Sequence, residues 1–225
     1  MRLIPSSLHH EAAHMLRERI FSGALAPGVF LDEIALCETL AISRTPLREA
    51  LKVLTAEGLL SHEPRRGCFV REVTERDLDD IFPVIALLEG RCAFDAARKA
   101  TDADLAALTT LHERLNSHAA AGRTADYYDC NFAIHEAMIL LADNRWLAQA
   151  IADLRKILKL ARLQSLGAPG RMAQSLKEHM TIFAALKNRD SEGADLAMRT
   201  HLTRQREALR ALAQAQTFNT SRVAA

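Results

Sequence analysis

Apolar positions along the chain change their grouping once. Up to about Val73 they form short stripes separated by turn residues, and beyond that point they recur only at helical spacing. Ala12, Met15, Leu16 and Ile20 predict a first helix over about 8–22, closed by Gly23. Pro27 and Gly28 mark a turn. A second, short helix fits Glu33 to Leu40, with Asp32 as its N-cap. After a break at Ala41–Ile42, Ser43 and Thr45 supply cap-type residues and Pro46 suits a first turn. The third helix then runs to about Glu57, with Leu47, Ala50, Leu51 and Leu54 on one stripe, and Gly58 ends it. Leu60 to Val73 predicts a β-hairpin with Arg65, Arg66 and Gly67 at its tip.

From Thr74 onward the pattern is helical throughout. The expected spans are about 75–99, 102–121, 124–142, 144–165, 171–187 and 190–214, with Asp102, Thr124 and Asp190 as N-caps. Pro83 predicts a kink or a short separate helix. The fold expected is therefore mostly α: a winged helix-turn-helix over 1–73, followed over 74–225 by an all-helical bundle of about six helices.

Composition narrows the class. In 225 residues, 49% are hydrophobic and 25% charged, ordinary values for a globular core, and the net charge is +1. A chain this close to neutral is no polycation, so any contact with nucleic acid has to come from local clustering. Ser43 to Arg71 supplies a cluster, with Arg44, Arg48, Lys52, Arg65, Arg66 and Arg71 set against Glu49, Glu57 and Glu63. Cys37, Cys68, Cys92 and Cys130 are scattered and read as reduced thiols of a cytoplasmic protein. No N-terminal signal pattern and no apolar run long enough for a bilayer is expected, so no membrane partner is.

The third helix carries the candidate chemistry of the N-terminal part. Arg44, Arg48 and Lys52 recur every four residues on a face distinct from the apolar stripe, with Thr45 and Glu49 beside them. A helix fits the major groove, where arginine pairs with guanine edges, and the same groups also hold phosphates. Taken alone, three cations on a helix equally describe a solvated face. The short helix and turn before them and the basic hairpin after them favour DNA. The run LDEIALCETLAISRTPLREALKVLTAEGLLSHEPRRGCFV, Leu31 to Val70, resembles the DNA-binding domain of the GntR family of regulators. The likeness rests on Leu31, Glu33, Leu36, Ser43 to Pro46, Arg48 to Leu51, Glu57 to Leu59 and Arg65 to Gly67, with Cys37 where alanine is usual. It implies contact with double-stranded operator DNA through Arg44, Thr45, Arg48 and Gly67, to which the shared helix face adds Lys52 and the basic wing tip Arg65 and Arg66.

In the helical part, His135 lies one turn after Asn131. His179 falls in the stripe Met172, Leu176, Phe183, Leu186, and His201 in the stripe Ala194, Met198, Gln205, Leu209. Three imidazoles from three helices make half a coordination sphere; the same spacing also describes three separate core histidines. His9, His10, His62, His112 and His118 show no comparable pattern. The segments LLEGRCAFDAA (Leu87 to Ala97), NFAIHEAMILLADN (Asn131 to Asn144), EHMTIFAALKNRD (Glu178 to Asp190) and AMRTHL (Ala197 to Leu202) resemble the FCD effector domain that follows the winged helix in the FadR branch, most closely its six-helix VanR-type subgroup.

That resemblance implies a divalent metal, zinc, nickel or manganese, on Asn131, His135, His179 and His201, with asparagine where aspartate is usual. It also implies a small-molecule effector, an organic acid, and a homodimer. The arginine that often holds the effector carboxylate is replaced by Ile85, leaving Arg91, Arg155 and Arg162 as candidates. The expected function is a transcription repressor whose operator affinity is set by a metabolite in a metal-containing pocket. The alternative is a metal-dependent hydrolytic enzyme using the three histidines. His135–Glu136 begins an H-E-x-x-H motif, but Ile139 stands where the second histidine would be.

Overall fold

The protein is described by a computed structural model covering residues 8–166 and 168–223, with side chains at all of these except 159, 160, 162–164 and 216–223. These residues form two compact units, one of residues up to Thr74 together with Lys156–Leu160, the other of Glu75–Arg155 and the residues from Ala161 on.

The N-terminal unit begins with α1 (Leu8–Phe21), α2 (Glu33–Leu40) and α3 (Arg44–Ala56). In α1 the buried stripe is Ala12, Ala13, Leu16 and Ile20. Met15, expected in that stripe, is 52% exposed. Ala13, not Met15, joins the buried face of α1. Asp32 caps α2 by accepting from the N–H groups of Ile34 (2.8 Å) and Ala35 (3.3 Å). Ala41 closes α2 in the left-handed conformation, φ 52°. Ser43 flanks α3 in extended backbone and makes no side-chain cap. Leu47, Ala50, Leu51 and Leu54 of α3 enter a core with Leu16, Leu31, Leu59 and Leu60. Each such buried leucine contributes about 1.5–3 kcal/mol.

Strands β1 (Leu60–Glu63) and β2 (Gly67–Val70) pair antiparallel, with Leu60 opposite Val70 and Glu63 opposite Gly67. Pairing stops at Val70, short of the expected Val73. Gly67 has φ 103°, and a Cβ there would lie 2.7 Å from Cε2 of Phe30. Phe30 bridges Phe69, their rings 5.4 Å apart. Glycine is thus demanded at the wing by the fold itself.

The C-terminal unit contains α4 (Glu75–Lys99), α5 (Asp102–Ala120), α6 (Thr124–Leu141), α7 (Arg145–Leu166), α8 (Arg171–Lys187) and α9 (Ser191–Val223). Helix α4 packs along α9 and also against α6 and α8, while α5 packs on α6 and α8. Gly90 makes the α4–α9 approach possible, because a Cβ there would meet Asp195 Oδ1 at 2.3 Å and Arg199 Cγ at 2.7 Å. Helix α4 runs as one element through Pro83 over the expected 75–99, so the short separate helix does not form. The ring sits at an exposed position, and the carbonyl left over belongs to the exposed Asp79. Burial of Leu78, Phe82, Ile85 and Ala86 on either side outweighs the lost hydrogen bond. Two expected caps are corrected. Thr101, not Asp102, caps α5, through a reciprocal box with Asp104, and Arg123 precedes α6 without a side-chain cap. Asp190 does accept from the N–H of Gly193 at 2.9 Å. The described cysteines are all free thiols, and no described helix is long and apolar enough to cross a membrane.

Candidate functional site

Helix α3 exposes Arg44, Thr45, Arg48 and Lys52 while its apolar stripe is buried. Two of these cations are held by acids. Arg48 Nε donates to Glu33 Oε2 of α2 at 2.9 Å, and Lys52 Nζ to Glu49 Oε1 at 2.8 Å. Both pairs are solvent-exposed, worth about 0.2–1 kcal/mol each, and yield readily to a phosphate. At the wing tip, Arg65 takes φ 64° and is exposed. Arg66 pairs with Glu63 and lies over the Phe69 ring, 5.2 Å from its centroid.

The C-terminal unit brings His135 (α6), His179 (α8) and His201 (α9) together. One ring nitrogen of each lies within 4.8 Å of the others, and all three are buried. Asn131 reaches the same place: its Nδ2, rather than its oxygen, faces His179 Nε2 at 2.7 Å. The rings are held from behind by carboxylates. His135 Nδ1 donates to Glu89 Oε2 at 2.6 Å, and His201 Nδ1 to Glu178 Oε2 at 2.7 Å. Those bonds fix both tautomers, so Nε2 is the nitrogen each ring can offer a cation.

Burial pushes His135 down to about 4 despite Glu89, and burial together with His201 and His135 pushes His179 well below the ordinary imidazole value. Both rings are neutral at pH 7, the form a metal requires. Burial works to raise Glu178, but hydrogen bonds from His201 and Arg171 overcome it and hold the carboxyl at about 2. Among the described residues, the buried side-chain atoms without a hydrogen-bond partner include His179 Nδ1 and His112 Nε2, whose rings lie 6.1 Å apart. Buried polar atoms are nearly always satisfied, so this concentration fits a centre that holds a further group.

The effector candidates part company. Arg91 is largely exposed and bound to Asp95 at 3.0 Å, over the Phe94 ring. Arg155 is buried but committed: it grips Glu89 and also pairs with Glu136. The Arg162 side chain lies outside the described residues. Ile85 is wholly buried core.

Sequence reasoning missed several members. His112 stacks on Phe183 at 4.2 Å and lies 6.1 Å from the His179 ring. Its place with Leu108 and Leu115 on one stripe was a legible signal. Glu89, Glu178 and Arg171 were missed, and Arg155 was singled out only as an effector candidate, because buried charges on helices look like surface charges until their partners are placed.

Residues 8–70 match the model of the bacterial regulatory proteins, gntR family, and residues 80–204 match the FCD domain. Over 210 residues the chain is 26% identical to a Bacillus subtilis (strain 168) protein named uncharacterized HTH-type transcriptional regulator YdhC, covering 92% of each. It is 31% identical over 189 residues to the HTH-type transcriptional regulator McbR of Escherichia coli (strain K12), covering 83% of this chain and 86% of that one. A solved structure of E. coli McbR/YncC superposes with a TM-score of 0.73 at 27% identity, covering 92% of this chain and 99% of that chain. These are transcription regulators, not enzymes, which leaves the hydrolytic alternative without support. The chain accordingly belongs to the gntR family, in the branch where an FCD domain follows the winged helix, and is a DNA-binding transcription regulator.

Proposed function

We propose that this regulator is a homodimeric repressor, and that a small carboxylate bound at a divalent metal in the C-terminal unit sets its operator affinity. The observation that carries the metal is the paired backing of His135 by Glu89 and of His201 by Glu178. Carboxylate-backed imidazoles are a recurrent support of metal sites, and these two converge with His179 within a space suited to one ion. Rotation of the Asn131 amide would add an oxygen donor. Three imidazoles and one amide oxygen suit zinc, nickel or manganese and contribute no charge, so the ion keeps its full positive charge for an anionic effector. When bound, the ion would supply open positions to a carboxylate; the protein's part is to hold the imidazoles neutral and oriented.

At the DNA end, Arg44, Thr45, Arg48 and Lys52 are the reading face and Arg65, Arg66 and Gly67 the wing contact. Arg48, once released by the exposed Glu33, presents its guanidinium to a guanine edge or a phosphate. A pair of such helices on a two-fold operator gives the base count that genomic specificity needs. The effector acts only if it binds the DNA-competent and DNA-incompetent arrangements with different affinity. A coupling of about 1–3 kcal/mol changes operator affinity roughly 5- to 150-fold.

The test is metal analysis of untagged protein beside the His135→Ala/His179→Ala double variant, followed by operator titration with organic acids. One metal per chain in wild type only, and an acid that changes operator affinity in wild type only, are the expected results. Equal, negligible metal in both proteins refutes the metal; an acid that binds without altering operator affinity refutes the control.

A further inference from the structure

A second cleft lies in the C-terminal unit, at the start of α8. It has a volume of about 660 Å³, within the range of small-molecule sites. Arg171 and Arg204 line it with Gly170 and Gln174, and Glu207 is the one acid among its described lining residues. Arg171 is eight residues before His179 on the same helix, a backbone rise of about 12 Å, so the cleft opens about two turns from the histidine centre, and only the Arg171 side chain reaches back towards it, to Glu178.

Two independent features point to an anion. The first is the helix end. Gly170 flanks α8 with φ 73°, no side chain caps the first turn, and no acid stands in it. The positive end of the helix dipole is left uncompensated by the chain. The second is Arg171. Its side chain is only 4% exposed, and Nη2 donates to Glu178 Oε2 at 2.9 Å, but Nε and Nη1 are buried without partners. A guanidinium this buried is ordinarily saturated; Nε and Nη1 lie on opposite edges, so the edge that does not face Glu178 keeps an Nη2 proton beside one open nitrogen, a fork that suits an oxyanion. Arg204, half exposed, stands on the same side, with Nη1 3.6 Å from Glu178 Oε1.

We propose that the cleft at the start of α8 binds a small oxyanion, a carboxylate or a phosphate, through Arg171, Arg204 and the first-turn amides of α8. The site does not depend on metal at the histidines. It is nonetheless tied to them, because Glu178 accepts from both Arg171 and His201. An anion that draws on Arg171 loosens its hold on the carboxylate that orients His201.

Calorimetric titration of the full chain with inorganic phosphate, and separately with succinate, at constant ionic strength tests the site. Saturable binding of either probe at one per chain, weakened at least tenfold by Arg204→Gln, is expected, and the tighter probe distinguishes phosphate from carboxylate. Arg171→Gln removes the partner of a buried carboxylate and endangers folding, so the half-exposed Arg204 carries the decision. No saturable heat with either probe overturns the proposal. Binding that survives Arg204→Gln but is lost with His179→Ala also overturns it, placing the anion at the histidine centre instead.

Discussion

Arg155 grips Glu89 through Nε at 3.0 Å and Nη2 at 2.9 Å, and both side chains are almost wholly buried. Glu89 in turn receives the Nδ1 proton of His135. A charge on α7 thereby fixes the tautomer of a ring on α6 through a carboxylate on α4.

Glu89→Gln keeps the shape but takes away the charge that orients His135. Outer-shell losses of this kind cost about 10–100-fold in metal affinity. Competition against a chromophoric chelator measures it, and unchanged affinity would show that Glu89 serves packing alone. Arg155→Met removes the cation that balances the buried Glu89 carboxylate and should cost about 3–5 kcal/mol in chemical denaturation.

Arg44→Ala and Arg48→Ala are each expected to weaken operator binding by about 1–3 kcal/mol and to relax preference at one base position. Arg65→Ala and Arg66→Ala should weaken all sequences alike. Fluorescence anisotropy with operator and scrambled duplexes separates the two behaviours; wild-type affinity in both α3 variants refutes the reading face.

Metal-free protein should lose stability on mild acidification. His135 titrates at about 4 when folded against 6.5 for the model imidazole, so between those values the unfolded chain binds the extra proton. The stabilisation is therefore complete above pH 6.5 and declines as pH falls towards 4, by on the order of 3 kcal/mol. Glu178, held at about 2 against 4.5, adds a further loss below pH 4.5. Urea unfolding at a series of pH values reads the slope, and His135→Gln should flatten its upper portion.

Gly67→Ala sets a side chain at φ 103° and against the Phe30 ring. It should destabilise the N-terminal unit by about 1–3 kcal/mol. Phe30→Ala in the same chain relieves the collision but not the strained backbone, so the double variant should recover part of the loss. Full additivity in thermal unfolding would show that the two residues do not meet.

The order of the elements was legible because apolar period and turn chemistry agree along this chain. Glu33 to Leu40, for example, reads as a helix from its cap to its last residue. A separate helix at Pro83 did not form because its local cost is smaller than the packing of Phe82 and Ile85 around it. The three histidines were visible as members of apolar stripes. Their carboxylate partners were not, since the pairing of Glu89 with His135, or of Glu178 with His201, depends on how helices far apart in sequence meet. His112 was passed over although its stripe matched those of His179 and His201.

The acids that hold Arg48 and Lys52 change what salt does to this protein. In free protein, Glu33 and Glu49 already occupy part of the space that DNA phosphates would take, as internal stand-ins for the ligand. With Arg48 and Lys52 on DNA as proposed, operator binding exchanges one anion for another, and fewer solution ions are expected to be set free than the number of basic residues suggests. The slope of affinity against salt concentration is correspondingly shallow, and the carboxylates act as a built-in discount on non-specific adhesion to duplexes that offer phosphates but no matching bases.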